Sequence, residues 1–207
     1  MPRISDNGEI MSKMKKVLEL VEEKGIIRPK DLKEEGLPKK YIYRLYDKGK
    51  LEKIDRGLYK LPGKSFSENE MMLSVARKSP DATFCLLTAL RFYEMTTQNP
   101  HQIWVAIHHK DKEPNINVPL KVVRMTGKSL KEGIEKREVD NIPIRVFNPA
   151  KTVADCFKFR NKIGLEVAIE ALREYRSKDR GTMSELWEFA KIDRVQNVIQ
   201  PYAESMQ

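Results

Sequence analysis

The chain has little of what membrane and secreted proteins need. No apolar run in its 207 residues approaches the roughly 20 residues that span a bilayer. The first residues also lack the apolar stretch of a secretory signal. The two cysteines, Cys85 and Cys156, have apolar neighbours, so they are better explained as reduced core residues than as a disulfide. We therefore expect a cytoplasmic protein.

Motifs for catalysis and metal binding are also missing. The sequence contains no glycine-rich phosphate loop, no HExxH, no CxxC pair and no G-x-S-x-G elbow. Of the three histidines, His108 and His109 are adjacent and would point to opposite faces if they lay on a strand, which does not suit one ion. We predict no catalytic residues, no metal and no cofactor, and we expect that the protein is not an enzyme.

Two acidic patterns come closest to metal-dependent chemistry. Pro80-Asp81 could begin the motif of restriction-like nucleases, but no downstream glutamate has a lysine two positions later. Asp111 and Glu113 have the alternate spacing of nucleotidyltransferase metal ligands, but no Gly-Ser precedes them. Both enzyme classes are disfavoured.

What the chain does have is a concentration of basic charge. The net charge is +9, and residues 37–64 carry nine Lys/Arg against three Asp/Glu, whereas residues 1–36 carry eight of each. Cations clustered beside a phosphate backbone release condensed counterions and so supply affinity for DNA. The alternative is a solvated lysine-rich surface that has no partner.

The same segment has the pattern of a short helix followed by a hairpin. After Pro38 comes an amphipathic stretch with Ile42, Leu45 and Tyr46 on its apolar side. Its other side carries Lys39, Lys40, Tyr43, Arg44 and Lys48. Gly49 ends the helix, and two short extended segments then flank Asp55-Arg56-Gly57. With helices predicted from Ser12 to Gly25 and from Pro29 to Gly36, this is the order of a winged helix-turn-helix, a DNA-binding unit.

The rest of the chain predicts a second domain, beyond a linker at Pro62-Gly63-Lys64. Ser67 and Glu70 form a capping-box pattern, and the apolar stretch 83–93 favours a buried helix. Strands are predicted at 103–108, 120–125 and 142–147. The first is placed centrally in a sheet, and Pro143 in the third indicates an edge strand or the start of a strand. Helices follow, with caps at Asn148 and Thr182. We predict an α+β protein: a winged helix-turn-helix over residues 1–63 and a mixed domain over 64–207 whose small sheet is covered by helices.

Three stretches together resemble a known family. They are Asp55-Arg56-Gly57-Leu58-Tyr59-Lys60-Leu61-Pro62, then Leu87-Thr88-Ala89-Leu90 followed by Asn99-Pro100, and 151–160, KTVADCFKFR. In this order and spacing the chain looks like the abortive-infection AbiEi antitoxins of type IV toxin–antitoxin systems. The resemblance implies a winged helix that represses its own operon at inverted repeats of double-stranded DNA. It also implies a C-terminal domain that counters a nucleotidyltransferase-like toxin without a stable complex, in antiviral defence.

The resemblance also implies where the sites lie. DNA contacts would come from Lys39, Lys40, Tyr43, Arg44 and Lys48 in the recognition helix and from Lys53, Arg56 and Lys60 in the wing. Candidate antitoxin-surface positions, chosen as exposed polar residues, are Lys151, Asp155, Lys158, Arg160, Arg173 and Arg176. For Asp155, a helix-surface or capping interaction is the alternative. The alternative function for the whole chain is a stand-alone winged-helix transcription factor with a ligand-sensing or dimerising C-terminal domain.

Overall fold

The structure, a computed structural model, describes residues 4–63 and 69–206. The chain divides into two compact units. The first contains the described residues up to Pro80 together with 114–117 and 138–143, and the second contains 81–113, 118–137 and the residues from Ile144 onward. The class is α+β, as predicted.

The first unit has the element order of a winged helix. Its elements are α1 (Ile4–Lys24), α2 (Pro29–Glu34), α3 (Lys40–Asp47), the hairpin β1 (Glu52–Asp55) and β2 (Leu58–Lys60), and α4 (Glu70–Lys78). One expectation was wrong: α1 begins at Ile4, before the predicted cap Ser12. Ser67 and Lys64, used in the predicted cap and linker, lie outside the described residues.

The hairpin is joined to the helices through a short backbone bridge. Ile27 pairs with Tyr59 in an antiparallel bridge, with N···O distances of 2.9 and 3.0 Å in the two directions. In the turn, Gly57 has φ +75°, a conformation that suits glycine because it has no Cβ. The hydrophobic core beneath draws on α1, α2, α3 and both sides of the hairpin, including Val17, Val21, Leu32, Ile42, Leu45, Leu51 and Tyr59.

Partly buried arginine hydrogen bonds connect α4 to the segment before α2. Arg77 donates from Nε to the carbonyl of Ile26 at 2.5 Å, and Arg28 donates from Nη1 to the carbonyl of Arg77 at 2.6 Å. Asp31, only 2% exposed, accepts from Arg28 Nη2 at 3.1 Å. These contacts place α4 in the first unit, while the predicted boundary at residue 63 stays a prediction.

The second unit contains most of a mixed sheet. Its strands, in the part of the chain that the structure describes, are β3 (Thr83–Phe84), β4 (Ile103–His108), β5 (Leu120–Met125), β6 (Ile134–Val139) and β7 (Ile142–Phe147), in the spatial order β5-β4-β3-β7-β6. β4 runs parallel to β5 and antiparallel to β3, and β3 runs parallel to β7. The prediction that 103–108 is an inner strand is confirmed. Pro143 is the second residue of β7, which agrees with the predicted position at a strand start and not with the alternative of an edge strand.

Helices follow and separate the strands of this unit. They are α5 (Leu86–Phe92), α6 (Gly127–Lys131), α7 (Pro149–Lys158), α8 (Arg160–Ile163), α9 (Leu165–Ser177), α10 (Met183–Asp193) and α11 (Gln196–Glu204). The caps are confirmed: Asn148 accepts from the Lys151 amide, and Thr182 forms a capping box with Glu185. The predicted helix at 83–93 is a two-residue strand followed by a helix.

Two smaller expectations concern the cysteines and the membrane. Cys85 and Cys156 are free and buried, as predicted, and burial raises the pKa of both thiols. Among the described residues, no helix is long and apolar enough to cross a bilayer.

Candidate functional site

The exposed face of α3 carries the predicted cations. The whole predicted set from this helix is exposed: Lys39, Lys40, Tyr43, Arg44 and Lys48. Opposite them, Tyr41, Ile42 and Leu45 are buried. The predicted apolar side was wrong at one position, because Tyr46 is 43% exposed and Tyr41 is 3% exposed. The helix thus presents a cationic and aromatic surface over a firmly packed base.

Aromatic contacts tie this helix to the hairpin. The Tyr59 ring, from β2, meets the Tyr43 and Tyr46 rings edge-on, with centroids 6.4 and 5.9 Å apart. Aromatic pairs in such geometry contribute about 0.5–1.5 kcal/mol beyond their burial. Arg44 and Lys40 also lie over the Tyr41 ring, at 5.8 and 5.5 Å from its centroid. The ring contacts therefore pack α3 against the hairpin.

The hairpin contributes two of its three predicted cations. Lys53 and Arg56 are exposed. Lys60 is 7% exposed, and its Nζ donates to both carboxylate oxygens of Glu70, at 2.9 and 3.1 Å. The contact of Lys60 with DNA stays a prediction, and in this structure Glu70, at the start of α4, covers Lys60 and pairs with its charge.

This difference gives a test within the wing. Replacing Arg56 with alanine should reduce the salt dependence of DNA binding by about one counterion, as loss of one phosphate contact does. Replacing Lys60 with methionine should leave the salt slope unchanged, since its ammonium is already paired. Both slopes can be measured by fluorescence anisotropy over a salt series. An equal loss of slope in the two variants would show that Lys60 leaves Glu70 to contact DNA.

Comparison with known families bears on this same segment. Residues 15–62 match the family model described as transcriptional regulator, AbiEi antitoxin. The resemblance to AbiEi is confirmed over this segment. The match runs from the middle of α1 to just beyond the hairpin, so it includes α3, the hairpin and their cationic face. The AbiEi family consists of transcriptional regulators that are antitoxins of abortive infection systems, which supports a role of that kind for this chain. No curated protein matches the chain.

Outside the AbiEi segment, the candidate antitoxin residues fall into two groups. Arg173 is exposed on α9. Arg160 and Arg176 are partly buried and bond to backbone carbonyls, Arg160 to that of Phe157 and Arg176 to those of Ala203 and Met206. Lys158 has a third of its side chain exposed. These positions remain candidates for a partner surface.

Lys151 and Asp155 belong to the interior. Both are 0% exposed, so the expectation that they are exposed was wrong. Lys151 is paired with Asp155 one turn along α7 and donates to Asp193 Oδ2 at 3.0 Å. Asp193, at the end of α10 and 6% exposed, accepts from Lys158 Nζ at 2.9 Å through its other oxygen. We call these two lysines and two aspartates the buried charge network.

The protonation of the buried charge network is unusual. Burial raises the pKa of Asp155 to about 8, and the negative charge of Asp193 acts in the same direction. Burial also opposes ionisation of Asp193, yet the Lys151 ammonium and the hydrogen bonds to the carboxylate outweigh it and lower the pKa of Asp193. Among the residues that the structure describes, none forms a hydrogen bond with Asp155 Oδ2. One carboxyl of the pair therefore takes the proton near neutral pH, and the other keeps its charge.

Sequence reasoning did not find Asp193, nor did it find Ser129, which donates to Asp193 Oδ1 at 2.7 Å. Neither residue belongs to a recognisable motif, and both lie far along the chain from Lys151. The i, i+4 spacing of Lys151 and Asp155 was the available signal, and it is equally typical of a helix surface.

The histidines and acidic motifs form no metal site in the residues that the structure describes. His109 lies just beyond the end of β4, and its ring contacts that of His108 with centroids 4.3 Å apart. Asp81 pairs with Arg145 at 3.5 Å, and Glu113 pairs with Arg124 at 3.3 Å.

Proposed function

We propose that this chain is the antitoxin of a type IV toxin–antitoxin system and represses its own operon through the winged helix. The observation that carries the DNA-binding part is the exposed cationic face of α3 and the hairpin, which coincides with the AbiEi match. In this proposal α3 enters the major groove and the wing contacts the flanking phosphates, as in other helix-turn-helix proteins. The partner is operator DNA that contains inverted repeats.

The antitoxin part of the proposal rests on the family and on the second unit. The toxin would be a nucleotidyltransferase-like enzyme, countered in the cytoplasm without a stable complex. The second unit has its own sheet, helices and buried charge network, which supports a function separate from DNA binding. The protein itself would act without catalysis, in defence against phage.

The DNA-binding part is tested by titrating the protein against its own upstream DNA and against scrambled DNA of equal length at two salt concentrations. We expect the upstream fragment to bind more tightly by about 4 kcal/mol or more, as specific sites usually do. Changing Lys40 and Arg44 together to alanine should weaken binding at least about tenfold and reduce the salt slope by about two.

The matched control changes Lys15 and Lys16, exposed on α1, to alanine. It removes the same charge from the same unit and should change the affinity much less. If both DNAs bound equally at both salt concentrations, or if the two double variants lost equal DNA affinity, the cationic face would be only a non-specific electrostatic patch.

The separation of roles is tested by co-expression with the product of the neighbouring gene. The Lys40/Arg44 variant should still rescue growth from that toxin while losing repression of a reporter placed behind the upstream DNA. Loss of both activities in a folded variant would contradict the division of labour. Absence of a toxic neighbour would favour a stand-alone transcription factor.

A further inference from the structure

A basic pocket opens at the edge of the buried charge network. It lies within the second unit, where the start of α6 and the ends of α7 and α10 meet, and its volume is about 420 Å³. Its wall includes the side chains of Thr126, Lys128, Ser129, Lys158, Asp193 and Arg194. Neither the AbiEi match nor the DNA-binding face includes any of them.

The charge of the pocket wall is positive. Lys128, Lys158 and Arg194 supply three cations against the single carboxylate of Asp193. That carboxylate is already bonded on both oxygens inside the protein, to Lys151 on one side and to Lys158 and Ser129 on the other. Asp193 therefore neutralises charge within the wall and leaves an excess of positive charge facing the pocket.

Lys158 is held in place before any ligand arrives. Lys158 Nζ donates to Ser129 Oγ and to Asp193 Oδ1, both at 2.9 Å. An ammonium has three N–H donors, so one remains, and the side chain is 32% exposed. The Thr126 hydroxyl, at the start of α6, makes no capping bond to the helix.

Arg194, directly after α10, adds a guanidinium group to the pocket wall. It ends α10 in the left-handed conformation, with φ +59°, where glycine or asparagine is more usual. Its side chain is exposed and, among the described residues, has no hydrogen bond or ion pair. Lys128 is 77% exposed and forms a surface salt bridge with Glu132 at 3.8 Å, a weak interaction that a bound anion can replace. Both cations can therefore turn to a bound anion at little cost.

We propose that this pocket binds the phosphate group of a small phosphorylated molecule. A phosphate offers several acceptor oxygens, which match two ammonium groups, a guanidinium fork and a hydroxyl. The anion would sit against Lys158, whose other bonds run to the buried carboxylate of Asp193. Binding would thus link the pocket to the buried charge network of α7 and α10. This goes beyond the proposed function, which assigns the second unit no ligand.

The test is isothermal titration of the full chain, without DNA, at constant ionic strength. The probes are inorganic phosphate, adenosine 5′-monophosphate and adenosine. We expect both phosphate-bearing probes to bind and adenosine not to bind. Tighter binding of the monophosphate would identify a nucleotide-like ligand, and equal binding would identify free phosphate; either result supports the proposal. Binding of adenosine as tight as that of its monophosphate, or no phosphate binding above chloride, would overturn it.

Variants locate the site. Changing Lys128 to glutamine together with Arg194→Gly should weaken phosphate binding at least about tenfold, because each removes a charge-assisted contact. Both residues are exposed, and glycine suits the backbone at position 194, so the fold should persist. The charge-matched control, Lys136→Gln with Lys191→Gln, removes two exposed cations of the same unit that lie outside the pocket wall. Equal losses in the two variants, or loss instead in the Lys40/Arg44 variant of the winged helix, would refute the site.

Discussion

Replacing Lys151 with methionine is expected to lower the free energy of unfolding of the second unit by about 3–5 kcal/mol, the cost of removing one partner from a buried ion pair. Lys151 is fully buried and faces two carboxylates, those of Asp155 and Asp193. Without its ammonium, Asp155 would lose the donor to its Oδ1, and Asp193 would keep only Lys158 and Ser129 as partners. Urea unfolding can be followed by tryptophan fluorescence, because both tryptophans of the chain, Trp104 and Trp187, lie in this unit.

Two further variants show whether the loss comes from the network. Lys191→Met removes an exposed lysine from α10 and should change stability by less than about 0.5 kcal/mol, as surface substitutions usually do. Combining Lys151→Met with Asp155→Leu removes both members of one pair and leaves Asp193 bonded to Lys158 and Ser129. This double variant should be more stable than Lys151→Met alone. A single variant that unfolds like the wild type would show that the lysine is not needed to hold the acids together.

Raising the pH from about 5 to 8 is expected to destabilise the second unit through Asp155. The pKa of this carboxyl is raised from 3.8 to about 8 in the folded protein. In this range the folded state keeps a proton that the unfolded state has released, so the free energy of unfolding falls as pH rises. The stabilisation that protonated Asp155 contributes is complete below the pKa of this carboxyl in the unfolded state and is lost above its pKa in the folded state. At about 1.4 kcal/mol per pH unit, the loss over three units reaches at most about 4 kcal/mol.

The matched variant for this prediction is Asp155→Asn. An amide cannot titrate, so the pH dependence between 5 and 8 should be flatter than in the wild type, and urea midpoints measured across this range would show it. Asp193 does not produce the same trend, because its lowered pKa makes its own contribution fall only at acid pH. The assignment of the proton to Asp155 would be contradicted if the free energy of unfolding of the wild type rose steadily from pH 5 to 8 while that of Asp155→Asn stayed constant.

Local pattern was enough to predict most of the fold. The strands at 103–108, 120–125 and 142–147 have the predicted bounds because β-branched runs end there at polar and proline-containing turns. The caps at Asn148 and Thr182 also depend on neighbours within three residues. β3 was missed because two residues at the start of a continuous apolar run show no period that separates a strand from a helix.

The sites were predictable only where exposure follows from local amphipathicity. The cations of α3 lie opposite its apolar face, so their exposure could be anticipated. Tyr46 was placed on the apolar face but is exposed. The burial of Lys60 and of Lys151 could not be anticipated for one reason: each lysine pairs with a carboxylate from another element, Glu70 on α4 or Asp193 on α10. Such pairings depend on tertiary packing, which a single sequence does not display.

The position of β3 has a consequence for how the second unit acquires its fold. Two residues, Thr83 and Phe84, join β4 on one side to β7 on the other. During synthesis, β3 can pair early with β4, but its parallel partner Val146 leaves the ribosome much later. The chain must lose the conformational entropy of closing this long loop before the contact between β3 and β7 stabilises it, and this entropy loss slows folding. Until β7 arrives, one edge of β3 is unpaired, and an unpaired strand edge is a site at which another chain can pair.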